Sequence, residues 1–122
     1  MFSWLPKRRR PSRDALLNEG LGLAMDWGDD WLAPINARMR ERHAHLETAE
    51  LDALNDECQG AMRLGHETVY AGLQGNGTAP TAEALAAIVL ARYPWVNPEN
   101  LARLLHQGVY YAAKTGRYAR DP

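Results

Sequence analysis

Cys58, Met62 and His66 stand at successive intervals of four residues, the spacing that aligns side chains on one face of an α-helix. A thiolate, a thioether and an imidazole in a row would suit a soft ion such as Cu(I). Cys58 and Met62 also belong to an apolar stripe, and His66 drifts toward its polar edge, so the row reads as core packing. Burial there would raise the thiol pKa and keep Cys58 inert as a nucleophile, despite four histidines in the chain. His43, His45 and Glu47 form the second set. Two imidazoles and a carboxylate could take zinc and leave a fourth position open. No further cluster follows to complete or orient them, so this stretch reads as a solvated loop between helices.

Other chemistry is weaker still. Ser3 and Ser12 are the only serines, and both lie in or beside the N-terminal leader, where no rigid scaffold could orient a base. Asp26, Asp29 and Asp30 crowd one short stretch but lack the alternating ligands, central glycine and distal glutamate of a calcium loop. Gly75-Asn76-Gly77 lacks the lysine and the preceding strand of a phosphate loop. The sequence therefore predicts a non-catalytic protein with no cofactor.

Charge is more telling. Lys7, Arg8, Arg9, Arg10 and Arg13 fall within the first thirteen residues, behind an apolar tip of Phe2, Trp4 and Leu5. The remaining chain holds nine basic and fifteen acidic residues, a net −6, so the total of −1 hides a basic arm on an acidic body. Such an arm could dock on anionic lipid, with the tip inserting and each cation adding about 1 kcal/mol near the surface. It could instead meet nucleic-acid phosphates, or remain a solvated tail, as charge runs commonly do. The acidic body would repel phosphates beyond the arm, which disfavours nucleic acid as a partner. The apolar tip favours a membrane surface.

Trp27, Trp31, Tyr93, Trp95, Tyr110 and Tyr111 mark helix ends that could meet in space. They read either as a cap on the core or as an interaction surface, since aromatic residues concentrate at interfaces. The expected groove lies near Trp31, Tyr93, Trp95 and Tyr111.

At 122 residues and 46% apolar content the chain fits one globular domain. The single Cys58 excludes an intramolecular disulfide and a multi-cysteine zinc site. No apolar run approaches the ~20 residues of a membrane span, and the leader has its charges on the wrong side for a secretory signal. The expected location is cytoplasmic, with peripheral contact at the inner membrane through the arm.

The elements that would position these residues are all helical. Ser12 should cap a first helix that carries Leu16, Leu17, Gly20, Leu21, Leu23, Ala24 and Trp27 on one side, with Asn18, Glu19, Gly22 and Asp26 on the other. Gly28-Asp29-Asp30 should stop it, and Asp30 should cap a second helix bearing Trp31, Leu32, Ile35 and Met39, with Pro34 in its first turn. Thr48 should cap the longest helix, running to about Leu73 with Leu51, Leu54, Cys58, Ala61, Met62, Gly65, Val69, Gly72 and Leu73 along its stripe. Thr81 should cap a short helix to about Arg92, apolar nearly all round and therefore expected to be central and buried. That helix could be central in a monomer or could seal a dimer, and the sequence leaves the oligomeric state open. Asn97-Pro98-Glu99 should start the last helix, with Leu101, Leu104, Leu105, Gly108 and Ala112 inward. No segment alternates with period two.

The segments Trp27 to Ile35, Arg92 to Gly108 and Tyr110 to Ala112 resemble short uncharacterised helical proteins of proteobacteria. The likeness covers most of the body and not the leader, and it implies no activity, cofactor or site. The reading is an all-α, compact single-domain bundle of about five helices. It divides into a polybasic leader (1–11), a helical domain (12–116) and a frayed C-terminus (117–122). Its expected role is that of a protein-interaction module with an unidentified protein partner. The alternatives are a small metal-binding protein or metalloenzyme using His43, His45 and Glu47, and an acidic helical inhibitor or immunity-type protein.

Overall fold

Ser12 accepts a hydrogen bond from the Ala15 amide at 3.1 Å and so opens the first helix. The same solution recurs at Thr81, whose hydroxyl accepts from the Ala84 amide at 3.1 Å, and at Asn97, whose Oδ1 accepts from the Asn100 amide at 2.8 Å. Each side chain satisfies one of the amides that a helix start leaves without a partner. The computed structural model describes residues 11–26 and 33–115, Thr115 by its backbone alone. Five helices run through them: α1 (Arg13–Ala24), α2 (Asn36–Arg42), α3 (Thr48–Asn76), α4 (Ala82–Arg92) and α5 (Pro98–Thr115). There is no strand among the described residues, and the molecule is an all-α bundle.

Several boundaries differ from expectation. α1 ends at Ala24 with Met25 as its cap, short of the expected continuation, since Met25 and Asp26 have already left the helix; Trp27 and the Gly28-Asp29-Asp30 stop lie outside the described residues. α2 begins at Asn36, so Pro34 precedes the helix instead of sitting in its first turn. Trp31, Leu32 and the Asp30 cap again fall outside. α3 is capped by Glu47 in place of Thr48. Glu47 accepts from the Glu50 amide and Glu50 answers to the Glu47 N–H, a reciprocal pair that a threonine in the first turn does not displace. Its far end overruns Leu73 and closes on Gly77, whose φ of 75° is left-handed backbone that glycine adopts without strain.

α3 is the spine. Its 29 residues span about 44 Å, and the other four helices all pack against it. Leu51, Leu54, Cys58, Ala61, Met62, Gly65, Val69 and Leu73 are buried along its inner side, as the stripe predicts. Two glycines bring helices close. A side chain at Gly20 would strike Ile35 and Cys58, and one at Gly108 would lie 2.9 Å from the Val69 Cβ, so α1 and α5 both approach α3 at backbone range.

α4 is where expectation fails. It was expected at the centre, yet only Leu85 and Val89 are buried. Ala84, Ala87 and Ala91 are exposed, and Ile88 is 44% exposed. The physical reason lies in composition. Five of its eleven residues are alanine, the best helix former, whose small apolar surface costs little when left in water.

Partly buried polar groups tie the helices to one another around the apolar core. Asn18, predicted to face water, donates to the Trp95 carbonyl at 2.7 Å and to the Asp14 carbonyl at 3.0 Å. Its Oδ1 accepts from the Asn97 amide at 2.9 Å and from Asn100 Nδ2 at 3.0 Å. One amide thereby pins α1 to the α4–α5 turn. Arg38 donates to the Leu23 carbonyl at 2.7 Å and to the Ala33 carbonyl at 3.3 Å, tying the end of α1 to the entry of α2.

Candidate interaction surface

The residues with reactive potential are held in structural roles. Cys58 is fully buried, and its thiol donates to the Leu17 carbonyl at 3.2 Å. Burial, aided by the neighbouring Glu57 charge and opposed by Arg13, pushes it up to about 12, so it stays a thiol. His66 Nε2 lies 3.0 Å from Gln107 Oε1, while Gln107 Nε2 donates to the Met25 carbonyl at 2.7 Å. The second bond orients the Gln107 amide, so His66 must be the donor in the first. Burial lowers the His66 pKa, against the opposing pull of the Gln107 hydrogen bond. The row Cys58, Met62, His66 is therefore divided between a sealed thiol, a core thioether and an imidazole tied to α5.

The second set divides in the same way. His43 Nε2 sits 2.7 Å from Glu19 Oε1, and Arg42 reaches Glu19 Oε2 at 3.2 Å. His45 is exposed and meets the His43 ring edge-on at 6.1 Å between centroids. Glu47 is occupied in capping α3. Among the described residues no three histidine, cysteine or acidic side chains converge as ligands for a metal ion.

The aromatic residues fall into two patches. Tyr93 and Trp95 meet edge-to-face at 6.2 Å beyond the end of α4, and the Tyr93 hydroxyl lies against Gly60 of α3. Trp95 Nε1 donates to Glu57 Oε1 at 2.8 Å, which satisfies the half-buried indole. Tyr111 packs edge-on to His66 at 6.0 Å. Gly60 and His66 are six positions apart on α3, hence roughly 120° apart around its axis, so Tyr111 does not share a groove with Tyr93 and Trp95. Tyr110 is 47% exposed, with Lys114 Nζ 6.0 Å from its ring centre. Trp27 and Trp31 lie outside the described residues, as do Phe2, Trp4, Leu5, Lys7, Arg8, Arg9 and Arg10. Arg13 belongs to α1 and ion-pairs with Glu57 at 3.1 Å, an exposed contact of little energetic weight.

Two concave features among the described residues are open to solvent. One depression of about 240 Å³ is bordered by Gln59, Met62, Arg63, His66 and Glu67. Another of about 360 Å³ is bordered by Ala102, Arg103, His106 and Gln107. Neither joins an activated base to a nucleophile. By contrast, Ala84, Ala87, Ile88 and Ala91 form a convex apolar face along α4. The sequence offered α4 as central in a monomer or as the seal of a dimer, without dividing it into a buried and an exposed side. The signal was present as a second i, i+3, i+4, i+7 set beside Leu85 and Val89.

No helix among the described residues is long and apolar enough to cross a membrane. Compared with protein-family models, curated proteins and solved structures, the chain matches none.

Proposed function

We propose that this protein is a non-catalytic interaction module whose docking surface is the outer face of α4, with the basic leader as a weak tether to an anionic membrane or acidic partner. The observation that carries the reading is Ile88, 44% exposed within a run of exposed alanines, on a helix whose opposite side is buried. Ile88 stands among exposed alanines as part of one continuous apolar strip, and continuous apolar strips mark surfaces that other molecules cover.

A photo-crosslinking residue at Ile88 tests the docking surface in cells, with Ala53, exposed on α3, as the control position. A discrete adduct at position 88 and none at position 53 is the expected result. No adduct at either, or the same smear at both, removes the reading. The tether is tested with the full chain by changing Lys7, Arg8, Arg9 and Arg10 together to glutamine. At low salt, retention on vesicles containing phosphatidylserine should fall by at least about tenfold, given about 1 kcal/mol per cation. Equal retention of parent and variant disposes of the tether.

A further inference from the structure

We infer that Ser12 is a phosphorylation site, and that its phosphate releases the basic leader from an anionic membrane. The inference rests on the leader acting as a tether and names what regulates it. Arg10, Arg9 and Arg8 stand two, three and four residues before Ser12, with Lys7 behind them. No other serine or threonine in the chain follows such a run of cations. The run suits an enzyme whose cleft is lined with carboxylates, because charge patterns select kinase substrates. The acceptor is accessible. Pro11 and Ser12 are exposed, as are Arg13, Asp14 and Ala15 in the first turn of α1. Ser12 itself precedes that turn, with extended backbone at φ −65° and ψ 162°. Its hydroxyl accepts from the Ala15 amide at 3.1 Å, which occupies one lone pair and leaves the proton to be given up. The neighbouring Arg13–Glu57 ion pair is also exposed, so lifting the first turn into a cleft sacrifices little.

The phosphoryl group comes from a nucleoside triphosphate. Ser12 Oγ forms a bond to the γ-phosphorus, the bond from that phosphorus to the bridging oxygen breaks, and the nucleoside diphosphate leaves. The hydroxyl proton passes to a carboxylate of the kinase. The product carries about −1.5 to −2 at pH 7, set against the +5 of Lys7, Arg8, Arg9, Arg10 and Arg13. It stands at the positive end of α1, which favours an added anion, so the helix is kept. The arginines, meanwhile, gain a phosphate within the chain to pair with in place of lipid phosphates. The same modification therefore weakens the tether and spares the fold.

The full chain is incubated with adenosine triphosphate and a purified serine/threonine kinase that requires arginine before its acceptor, and phosphate is located by mass spectrometry. One phosphate at Ser12 is expected, and none there in Ser12→Ala. Arg9→Gln with Arg10→Gln should slow transfer by at least about tenfold. This second variant keeps Ser12 and its cap, so the test holds even if Ser12→Ala folds poorly. At low salt, vesicles containing phosphatidylserine should retain the phosphorylated chain about tenfold less than the unmodified one, since close to two positive charges are cancelled. Its melting temperature should not fall, which separates charge cancellation from loss of α1. A folded chain left unlabelled while a standard arginine–serine peptide is labelled overturns the inference, as does transfer to another residue. Equal retention of modified and unmodified chains, with the quadruple glutamine variant released, sinks the switch and leaves the tether standing. An unmodified chain retained no better than that quadruple variant sinks the tether, and the release with it.

Discussion

α4 and α5 both pack on α3, and the one with the more apolar sequence is the less buried. α5 carries Asn100, Arg103, His106 and Gln107, yet Asn100 and Gln107 are 5% and 3% exposed and Leu104 is sealed. α4 is almost all aliphatic and buries two side chains. Close approach explains the difference. Gly65 and Gly108 let α5 settle against α3, with Leu104 lying over Gly65 and Val69 over Gly108. The buried amides of α5 then find carbonyls and an amide at α1 and an imidazole on α3, so their burial costs little. α4 makes its contact through Leu85, Val89 and Tyr93 at one side and leaves the other free. Apolar composition thus reports what a helix can tolerate, while the pairing of its polar groups reports where it sits.

The contrast breaks most sharply at paired truncations. Leu104→Ala removes a fully buried side chain and should cost about 2–5 kcal/mol in denaturant unfolding, through lost transfer energy and the cavity left behind. Ile88→Ala, measured at low protein concentration, should change stability by less than about 0.5 kcal/mol. Similar losses at both positions would mean that α4 is as deeply seated as α5.

The amide network sharpens the comparison at intermediate size. Asn18→Ala would strip partners from the Trp95 carbonyl, the Asn97 amide and Asn100 at once, and should cost about 1–3 kcal/mol. Asn100→Ala should cost a similar amount, and the double variant less than the sum, because both remove the bond between Asn100 Nδ2 and Asn18 Oδ1. Strict additivity would show that Asn18 and Asn100 act independently.

The smallest effect is on pH dependence. Burial holds His66 below its ordinary value of 6.5 in the folded protein, while the unfolded chain titrates near that value. As pH falls through that window the unfolded chain takes up the proton first, so stability present above it is lost progressively. His66→Gln keeps an amide donor for Gln107 and removes the titration. The fall in melting temperature between about pH 7.5 and about pH 5.5 should be smaller in the variant than in the parent. An equal fall in both would show that burial at this site does not disfavour the protonated imidazole.

Much of the candidate site was hidden for the same reason that α4 was misplaced. The aromatics were visible as residues, but only geometry divides Tyr93 and Trp95, at Glu57 and Gly60, from Tyr111, at His66. His43 and His45 were legible as metal-ligand types, yet Glu19 and Arg42 claim the former. Glu19 lies 24 positions away from His43, beyond any pattern that a helical window can hold.

Ser12, Thr81 and Asn97-Pro98-Glu99, with the stripe from Leu51 to Leu73, determined by themselves that helices form and roughly where they begin. Those signals act within four or five residues, so the chain states them locally. Tertiary structure alone decided that α3 is the spine, that α4 is peripheral and that Asn18 points into a network with residues 77 to 82 positions away. Alanine conceals the first two choices, because its methyl group is nearly as acceptable in water as in the core. Asparagine conceals the third, because its amide is equally at home among waters or among carbonyls, and only the surrounding fold supplies one or the other.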